Sequence, residues 1–188
     1  MPSNVASAIV FIVNALTSLY LLVLLLRFWM PWLGADFRNP LAQGILRFTS
    51  PVVIPVRRIV PSFGRLDTAT LLVAFIIQYL AVLLLLLILG QTAGIIEIAL
   101  TAIVKLIVLS INLFVYAIFI RIILSWVSQG GYNPATAIIT TLTEPLLRPF
   151  RRLVPSLGGF DISPIFAIIL LLAAGAFLVT VFLSLIHI

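Results

Sequence analysis

The sequence predicts an all-α, multi-pass transmembrane protein built from two parallel tandem repeats, and three observations support this. Hydrophobic residues make up 63% of the 188 residues and charged residues only 9%, a composition outside the usual soluble range. Four apolar stretches are each long enough for a helix to cross a ~30 Å hydrocarbon core. The motif P-x3-P-x-R-R-x-V-P-S-x-G-x-x-D occurs twice, from Pro51 and from Pro145. We therefore expect four spans, two in each repeat.

The two halves of the chain align without a gap at an offset of 94 residues. Residues 27–72 and 121–166 share 15 identities in 46 positions, mostly Pro, Arg, Gly and Asp, which shared membrane composition does not explain. The first repeat is 1–94, with spans about 5–30 and 71–89, and the second is 95–188, with spans about 100–127 and 162–186. The offset superimposes these residues: Arg27 and Arg121, Asn39 and Asn133, Pro40 and Pro134, Pro61 and Pro155, Gly64 and Gly158, Asp67 and Asp161.

The first apolar stretch is expected to stay in the protein as a helix. It lacks the basic start of a secretory signal, exceeds the usual length of a signal's apolar region, and has a counterpart in the third stretch. Residues 90–94 join the repeats, and no connection is long enough for a soluble domain. The absence of Cys excludes disulfides, thiolate metal sites and Cys nucleophiles.

Each long loop is expected to hold amphipathic helices in the headgroup region. An Asn-Pro pair reads as an N-cap followed by the first helical residue: Asn39-Pro40 and Asn133-Pro134. A second short helix is expected after Pro51, kinked or shortened by Pro55, with the same arrangement in the second repeat. Such helices are too short and too charged to span, so they should lie with their apolar face down. The tract from Pro61 to Gly64 should then turn the chain back into the bilayer.

The arginines predict the orientation. All ten lie in the two long loops or at the adjoining helix ends: Arg27, Arg38, Arg47, Arg57, Arg58, Arg65, Arg121, Arg148, Arg151 and Arg152. By the positive-inside rule these loops are cytoplasmic and both termini are not. An inner membrane is the expected location. The net charge of +6 is expected to face anionic lipid headgroups rather than nucleic acid.

Five arginines are the candidate contacts for lipid phosphates or for a partner's carboxylates: Arg57, Arg58, Arg148, Arg151 and Arg152. Adjacent guanidinium groups on an interfacial helix can bind either group in a bidentate way. The alternative is that they only enforce topology. The carboxylates of Asp67 and Asp161 are expected to cap the second and fourth spans. Alternatively, they pair at equal depth with Arg27 and Arg121. A membrane protein partner or a homo-oligomer stays open.

Polar residues inside the spans are few. Asn14, Gln78, Ser110 and Asn112 could line a pathway, but single amides in membrane helices more often bond to a neighbouring helix. Packing is therefore the expected role, and Lys105 is expected to extend toward the interface.

These motifs resemble those of the YggT family of bacterial integral membrane proteins, in a two-repeat form. The resemblance covers essentially the whole chain and rests on these tracts: Arg27-x4-Trp32, Asn39-Pro40, the Pro51 to Pro61 motif, Arg121-x3-Ser125-Trp126-Val127-Ser128-Gln129-Gly130, Glu144 to Arg152, and Gly158-Gly159-Phe160-Asp161-x-Ser163-Pro164. It implies a multi-pass inner-membrane protein linked to tolerance of osmotic or envelope stress. Plastid and Gram-positive relatives are associated with haem attachment to a cytochrome and with cell division or nucleoid organisation. The first repeat lacks the Ser-Trp-Val-Ser-Gln-Gly tract and departs from the second at Met30-Pro31 and at Gly34-Ala35-Asp36.

Enzyme chemistry has little support in the sequence. His187 is the chain's one histidine, which excludes a two-His metal site, and Ser62 and Ser156 have no adjacent base. We expect no enzyme activity and no cofactor. Two functional classes follow: a membrane scaffold or assembly factor acting through its arginine-rich helices, or a transporter or channel component for ions or osmolytes.

Overall fold

Six α-helices form the fold in the computed structural model, which describes residues 4–127, 133–153 and 161–186. Four are long and apolar enough to cross a membrane: α1 (Asn4–Leu33), α3 (Thr68–Leu89), α4 (Ile95–Val127) and α6 (Ser163–Ile186). The other two connect the spans within each repeat, and we call them the arms: α2 (Pro40–Arg57) and α5 (Pro134–Leu153). The predicted all-α fold with four spans is confirmed.

The outer surfaces of the spans are apolar. Phe11 on α1 is 73% exposed and Phe177 on α6 is 68% exposed, and many aliphatic side chains around them are exposed as well. Contiguous apolar surface of this extent is unfavourable in water. A bilayer removes that cost, so the four helices belong in a membrane.

The spans and arm of each repeat pack together, and Leu106 of α4 joins the core of the first repeat. Leu21 and Leu24 of α1 meet Val53 of α2 and Val73 of α3. In the second repeat, the buried residues Ile118, Leu147 and Ala167 bring together α4, α5 and α6. Both arms therefore insert one apolar side between the spans of their repeat.

Contacts between the repeats include those of α4 with both spans of the first repeat, α1 and α3. Leu25 packs against Leu113 and Phe114. The Trp29 indole Nε1 donates a hydrogen bond to Ser110 Oγ at 2.7 Å. The expected packing role of a polar residue inside a span is thus observed for Ser110.

Each arm is one continuous helix, so the expectation of two short helices is wrong. α2 runs through Pro51 and Pro55, and α5 runs through Pro145 and Pro149. Proline removes one backbone hydrogen bond from a helix. A spacing of four residues places each pair on one face, and all four prolines are exposed. The carbonyl groups left without a partner can therefore be hydrated, and the helix continues. α2 still ends two residues after Pro55.

The predicted helix starts are confirmed. The Asn39 Oδ1 accepts a hydrogen bond from the Leu41 N–H at 2.9 Å, and the Asn133 Oδ1 accepts one from the Ala135 N–H at 2.9 Å. These bonds satisfy backbone donors that have no partner within the helix. Pro40 and Pro134 follow as the first helical residues.

The two arms touch each other at one end of the bundle. The amide Nδ2 of Asn39 donates to the carbonyl oxygen of Pro134 at 2.8 Å. Near this bond, Ala42 of α2 packs with Ile138 and Leu142 of α5. Both arginine-rich loops therefore lie at the same end, as expected for repeats that share one orientation.

The turn after the first arm forms as predicted. Gly64 adopts φ +60°, a left-handed conformation that favours glycine. Phe63 and Leu66 exchange backbone hydrogen bonds across it at 3.1 and 2.9 Å. The hydroxyl of Thr68 donates to the Pro61 carbonyl oxygen at 2.7 Å. Pro155 and Gly158, the predicted equivalents in the second repeat, lie outside the described residues.

Candidate functional site

An arginine–carboxylate cluster lies where the first arm meets its two spans. Arg27, near the end of α1, is only 3% exposed. Its Nη1 donates to Thr49 Oγ1 at 2.8 Å and to Ser50 Oγ at 3.3 Å. Thr49 in turn donates to the carbonyl oxygen of Ile45, one turn back along α2, at 2.7 Å. The arm thus supplies the acceptors for a buried guanidinium group.

Asp67 supplies the counter-charge. Its Oδ2 lies 3.6 Å from Arg27 Nε, with both side chains buried. Arg57, from the end of α2, donates to the same oxygen. Asp67 also caps α3, because it accepts hydrogen bonds from the Thr70 N–H at 3.2 Å and the Thr70 hydroxyl at 2.7 Å. Capping and pairing with Arg27 therefore both occur in the first repeat, through one carboxylate.

The second repeat builds a related cluster with a different acid. Arg121 Nη1 donates to Thr143 Oγ1 at 2.8 Å, matching the Arg27 to Thr49 bond. Arg121 Nη2, however, donates to Glu144 at 2.9 Å. Glu144 also pairs with Arg151 at 3.1 Å. Among the described residues, Arg121 therefore pairs with Glu144 and not, as suggested from the sequence, with Asp161.

Asp161 caps α6 and binds the second arm. Its Oδ1 accepts hydrogen bonds from the N–H of Ser163 at 3.0 Å and from the Ser163 hydroxyl. Its Oδ2 accepts one from Arg151 Nε at 2.7 Å. The predicted capping role is confirmed for both aspartates. Each cluster therefore joins the end of one span, an arm and the start of the next span.

The second cluster is more hydrated than the first. The side chains of Glu144 and Asp161 are each 42% exposed, against 7% for Asp67. The hydrogen bond from Arg121 lowers the pKa of Glu144 below its ordinary value, and the charge of Arg151 adds to this. Partial burial would raise the pKa of Asp161, but hydrogen bonds from Ser163 and Arg151 outweigh it, and the pKa is lowered. Both carboxylates are therefore ionised at neutral pH.

The two arginines of each Arg-Arg pair have separate environments. Arg57 and Arg151 bind the cluster carboxylates. Arg58 and Arg152 are exposed, and within the described residues neither forms an ion pair. Arg148 is likewise exposed and without an acidic partner in those ranges. Of the five candidate contact residues, these three project their charge outward.

Sequence reasoning missed the threonines and the glutamate of the clusters. Thr49 and Thr143 are identical at the repeat offset, which could have singled them out. Glu144 corresponds to Ser50 in the first repeat, so it is not among the residues that the two repeats share. The second acid becomes visible only when the helices are placed in space.

A separate cleft of about 370 Å³, with a mainly apolar lining that includes several polar side chains, lies between the four spans. Asn14 of α1, Gln78 of α3, and Lys105 and Asn112 of α4 line it. The expected packing role is not observed for these amides, because no hydrogen bond joins them to another described side chain. Lys105 contributes to this lining and is an exposed residue of α4.

No group of three or more metal-binding side chains occurs among the residues that the structure describes.

The sequence is similar to bacterial and plastid proteins. The family described as CCB3/YggT matches residues 6–88 and again residues 100–182. An uncharacterised protein of Pseudomonas aeruginosa is 44% identical over 167 residues, which cover 88% of this chain and 85% of that protein. YggT of Escherichia coli K12 is 38% identical over 166 residues, covering 88% and 86%. A chloroplastic YlmG homolog of Arabidopsis thaliana is 34% identical over 64 residues, 32% of this chain and 24% of that protein.

No solved structure matches the chain. The two family matches begin 94 residues apart, which is also the offset of the sequence motif. Together they cover both pairs of spans. The similarity to YggT extends over most of each protein. With its four apolar spans and two arginine-bearing arms, the chain belongs to the CCB3/YggT family.

Proposed function

We propose that this protein is a non-enzymatic scaffold of the bacterial inner membrane that holds anionic lipid headgroups with its two arms. The proposal rests on the different environments of the two arginines in each Arg-Arg pair. Arg57 and Arg151 bind carboxylates of the chain itself, whereas Arg58 and Arg152 are exposed next to them. The arms are thereby held to the spans while free guanidinium groups face outward.

Lipid is favoured over nucleic acid as the partner because the exposed charges lie beside apolar spans. Phosphate groups of anionic lipids accept bidentate hydrogen bonds from arginine. Each basic residue near such a surface contributes roughly 1 kcal/mol to binding. A protein partner with surface carboxylates, or a second copy of the chain, would use the same arginines. Retention of anionic against zwitterionic lipid by the full chain tests the assignment.

The link to osmotic or envelope stress comes from family resemblance. Arms that hold anionic lipid would connect the protein to the state of the membrane surface. We therefore propose a supporting role in stress tolerance or in the assembly of other membrane proteins.

The arms are proposed to lie on the cytoplasmic face. All ten arginines belong to the arm end of the bundle, and none lies in residues 90–94, which join the repeats at the other end. The positive-inside rule then places both termini outside the cytoplasm. A cysteine introduced at Ser3 should react with a membrane-impermeant reagent in intact cells, and one at Ser50 should react only after lysis. The reverse pattern would overturn this orientation.

Cation transport is the weaker alternative. The cleft between the spans is where a pathway would have to run, and Lys105 places a positive charge in its lining. That charge repels cations in a medium of low dielectric constant. In proteoliposomes we expect K⁺ and proton flux no greater than in protein-free liposomes. Flux that depends on the protein and is lost on blocking the cleft would favour the transporter.

A further inference from the structure

The cleft between the four spans combines features of a binding site. Gln78 lies about 15 Å from either end of α3 at 1.5 Å per residue, near the middle of a hydrocarbon core ~30 Å thick. Lys105 lies about 15 Å from the start of α4 by the same measure. Ionisable and amide groups at such depth are unfavourable unless they have partners. No hydrogen bond or ion pair joins Gln78 or Lys105 to another described side chain, so both groups are available to a ligand.

The repeats share only part of this polarity: Asn112 corresponds to Ser18, which also lines the cleft. At the 94-residue offset, Lys105 corresponds to Phe11, Gln78 to Leu172, and Asn14 to Val108. Phe11 is 73% exposed on the outer face of α1. At these three positions the equivalent residue is apolar. Lys105, Gln78 and Asn14 therefore have no polar counterpart in the other repeat.

The lining identifies the chemistry of a ligand. Lys105 is the one charged residue in the lining, and no carboxylate within the described ranges approaches its Nζ to 4 Å. One positive charge calls for one negative charge, and the amides and hydroxyls nearby supply further donors. Val104, Val179 and Phe182 provide an apolar wall. The volume lies within the roughly 300–1,000 Å³ typical of small-molecule sites.

We propose that this cleft binds a monocarboxylate, with the carboxylate at Lys105 and the amides and with an apolar tail against Val179 and Phe182. An ammonium group and amide N–H groups form charge-assisted hydrogen bonds to such an anion. The ligand neutralises a charge that the chain leaves unpaired, so binding stabilises the folded protein. This site is independent of the arms and of their proposed lipid binding.

The test uses the full chain purified in detergent, with acetate, butyrate and octanoate as probes. The amide of each acid is a neutral control of nearly the same shape. At least one carboxylate should raise the unfolding temperature by about 3 °C at ten times its dissociation constant, since ligand binding to the folded state alone shifts the equilibrium. Its amide should not. Replacing Lys105 by Met should abolish the rise, whereas Arg58→Gln, on an arm, should retain it.

A second measurement needs no variant. Lys105 is the chain's one lysine, so acetylation at this position can be followed by mass spectrometry apart from the N-terminal amine. At ten times its dissociation constant, a bound carboxylate should slow this acetylation about tenfold by occupancy alone. The probe that protects Lys105 best indicates the source of the ligand: acetate indicates a short carboxylate from the aqueous phase, and octanoate indicates a fatty acid of the bilayer. Equal behaviour of every carboxylate and its amide, or a temperature rise that persists in Lys105→Met, overturns the proposal.

Discussion

Replacing Asp67 by Asn is expected to destabilise the protein by about 3–5 kcal/mol, because the buried guanidinium of Arg27 loses its counter-charge. Arg27 and Asp67 expose only 3% and 7% of their side chains, so water cannot compensate. Asn is about as good an N-cap as Asp, which means that the substitution removes the charge and retains the cap. The unfolding temperature in detergent should fall by about 6–20 °C at roughly 2–4 °C per kcal/mol.

The duplication supplies a matched control for this prediction. Asp161→Asn changes the equivalent residue, but Glu144 still pairs with both Arg121 and Arg151. The Asp161 side chain is also 42% exposed, and ion pairs of that kind contribute about 0–1 kcal/mol. We expect little change in the unfolding temperature. Equal losses in the two variants would contradict the assignment of Asp67 as the counter-charge of a buried arginine.

The joint replacement of Arg58 and Arg152 by Gln is expected to weaken binding of anionic lipid about 30-fold. The estimate takes roughly 1 kcal/mol for each basic residue at the surface and converts the sum at about 1.4 kcal/mol per factor of ten. The unfolding temperature should stay within about 2 °C of the wild type, because exposed residues away from packing contacts contribute little to stability. A titration of the full chain with phosphatidylglycerol in mixed micelles measures the affinity.

The neighbouring arginines provide the comparison. Replacing Arg57 and Arg151 by Gln removes the bonds to Asp67 and Asp161. This change should mainly lower the unfolding temperature, with a smaller loss of lipid affinity than the replacement of Arg58 and Arg152. In cells, Arg58→Gln with Arg152→Gln should reduce survival of osmotic stress at normal membrane abundance. If survival is unchanged, these arginines serve topology alone. If survival falls but lipid affinity does not, the arms bind a protein partner.

The positions of the spans and arms could be predicted because their signals are local. Apolar stretches long enough for a bilayer mark the four spans, and Asn-Pro pairs mark the starts of both arms. The continuity of each arm could not be predicted, because it depends on the exposure of the face that carries Pro51 and Pro55. Proline inside a helix is tolerated where the freed carbonyl groups reach water or headgroups.

The partners of the buried charges were only partly predictable. Arg27 and Asp67 could be matched by depth from the sequence, since each lies at the same end of its span. For Arg121 the same reasoning named Asp161, but Arg121 pairs with Glu144 on the arm instead.

The polar cleft depends on the rotation of the helices. Spans that are apolar on every side carry no periodicity to indicate which face turns inward. Asn14, Gln78 and Lys105 lie on three different helices and meet only after these pack. From the sequence they were three separate polar residues.

The lipid preference of the wild-type chain tests directly whether the arms present free arginines to anionic lipid. Native mass spectrometry can count the lipids retained by the purified protein offered equal amounts of phosphatidylglycerol and phosphatidylcholine. We expect phosphatidylglycerol to be retained in preference, and this preference to shrink as salt screens the exposed charges. Equal retention of the two lipids at low salt would contradict the proposed lipid binding.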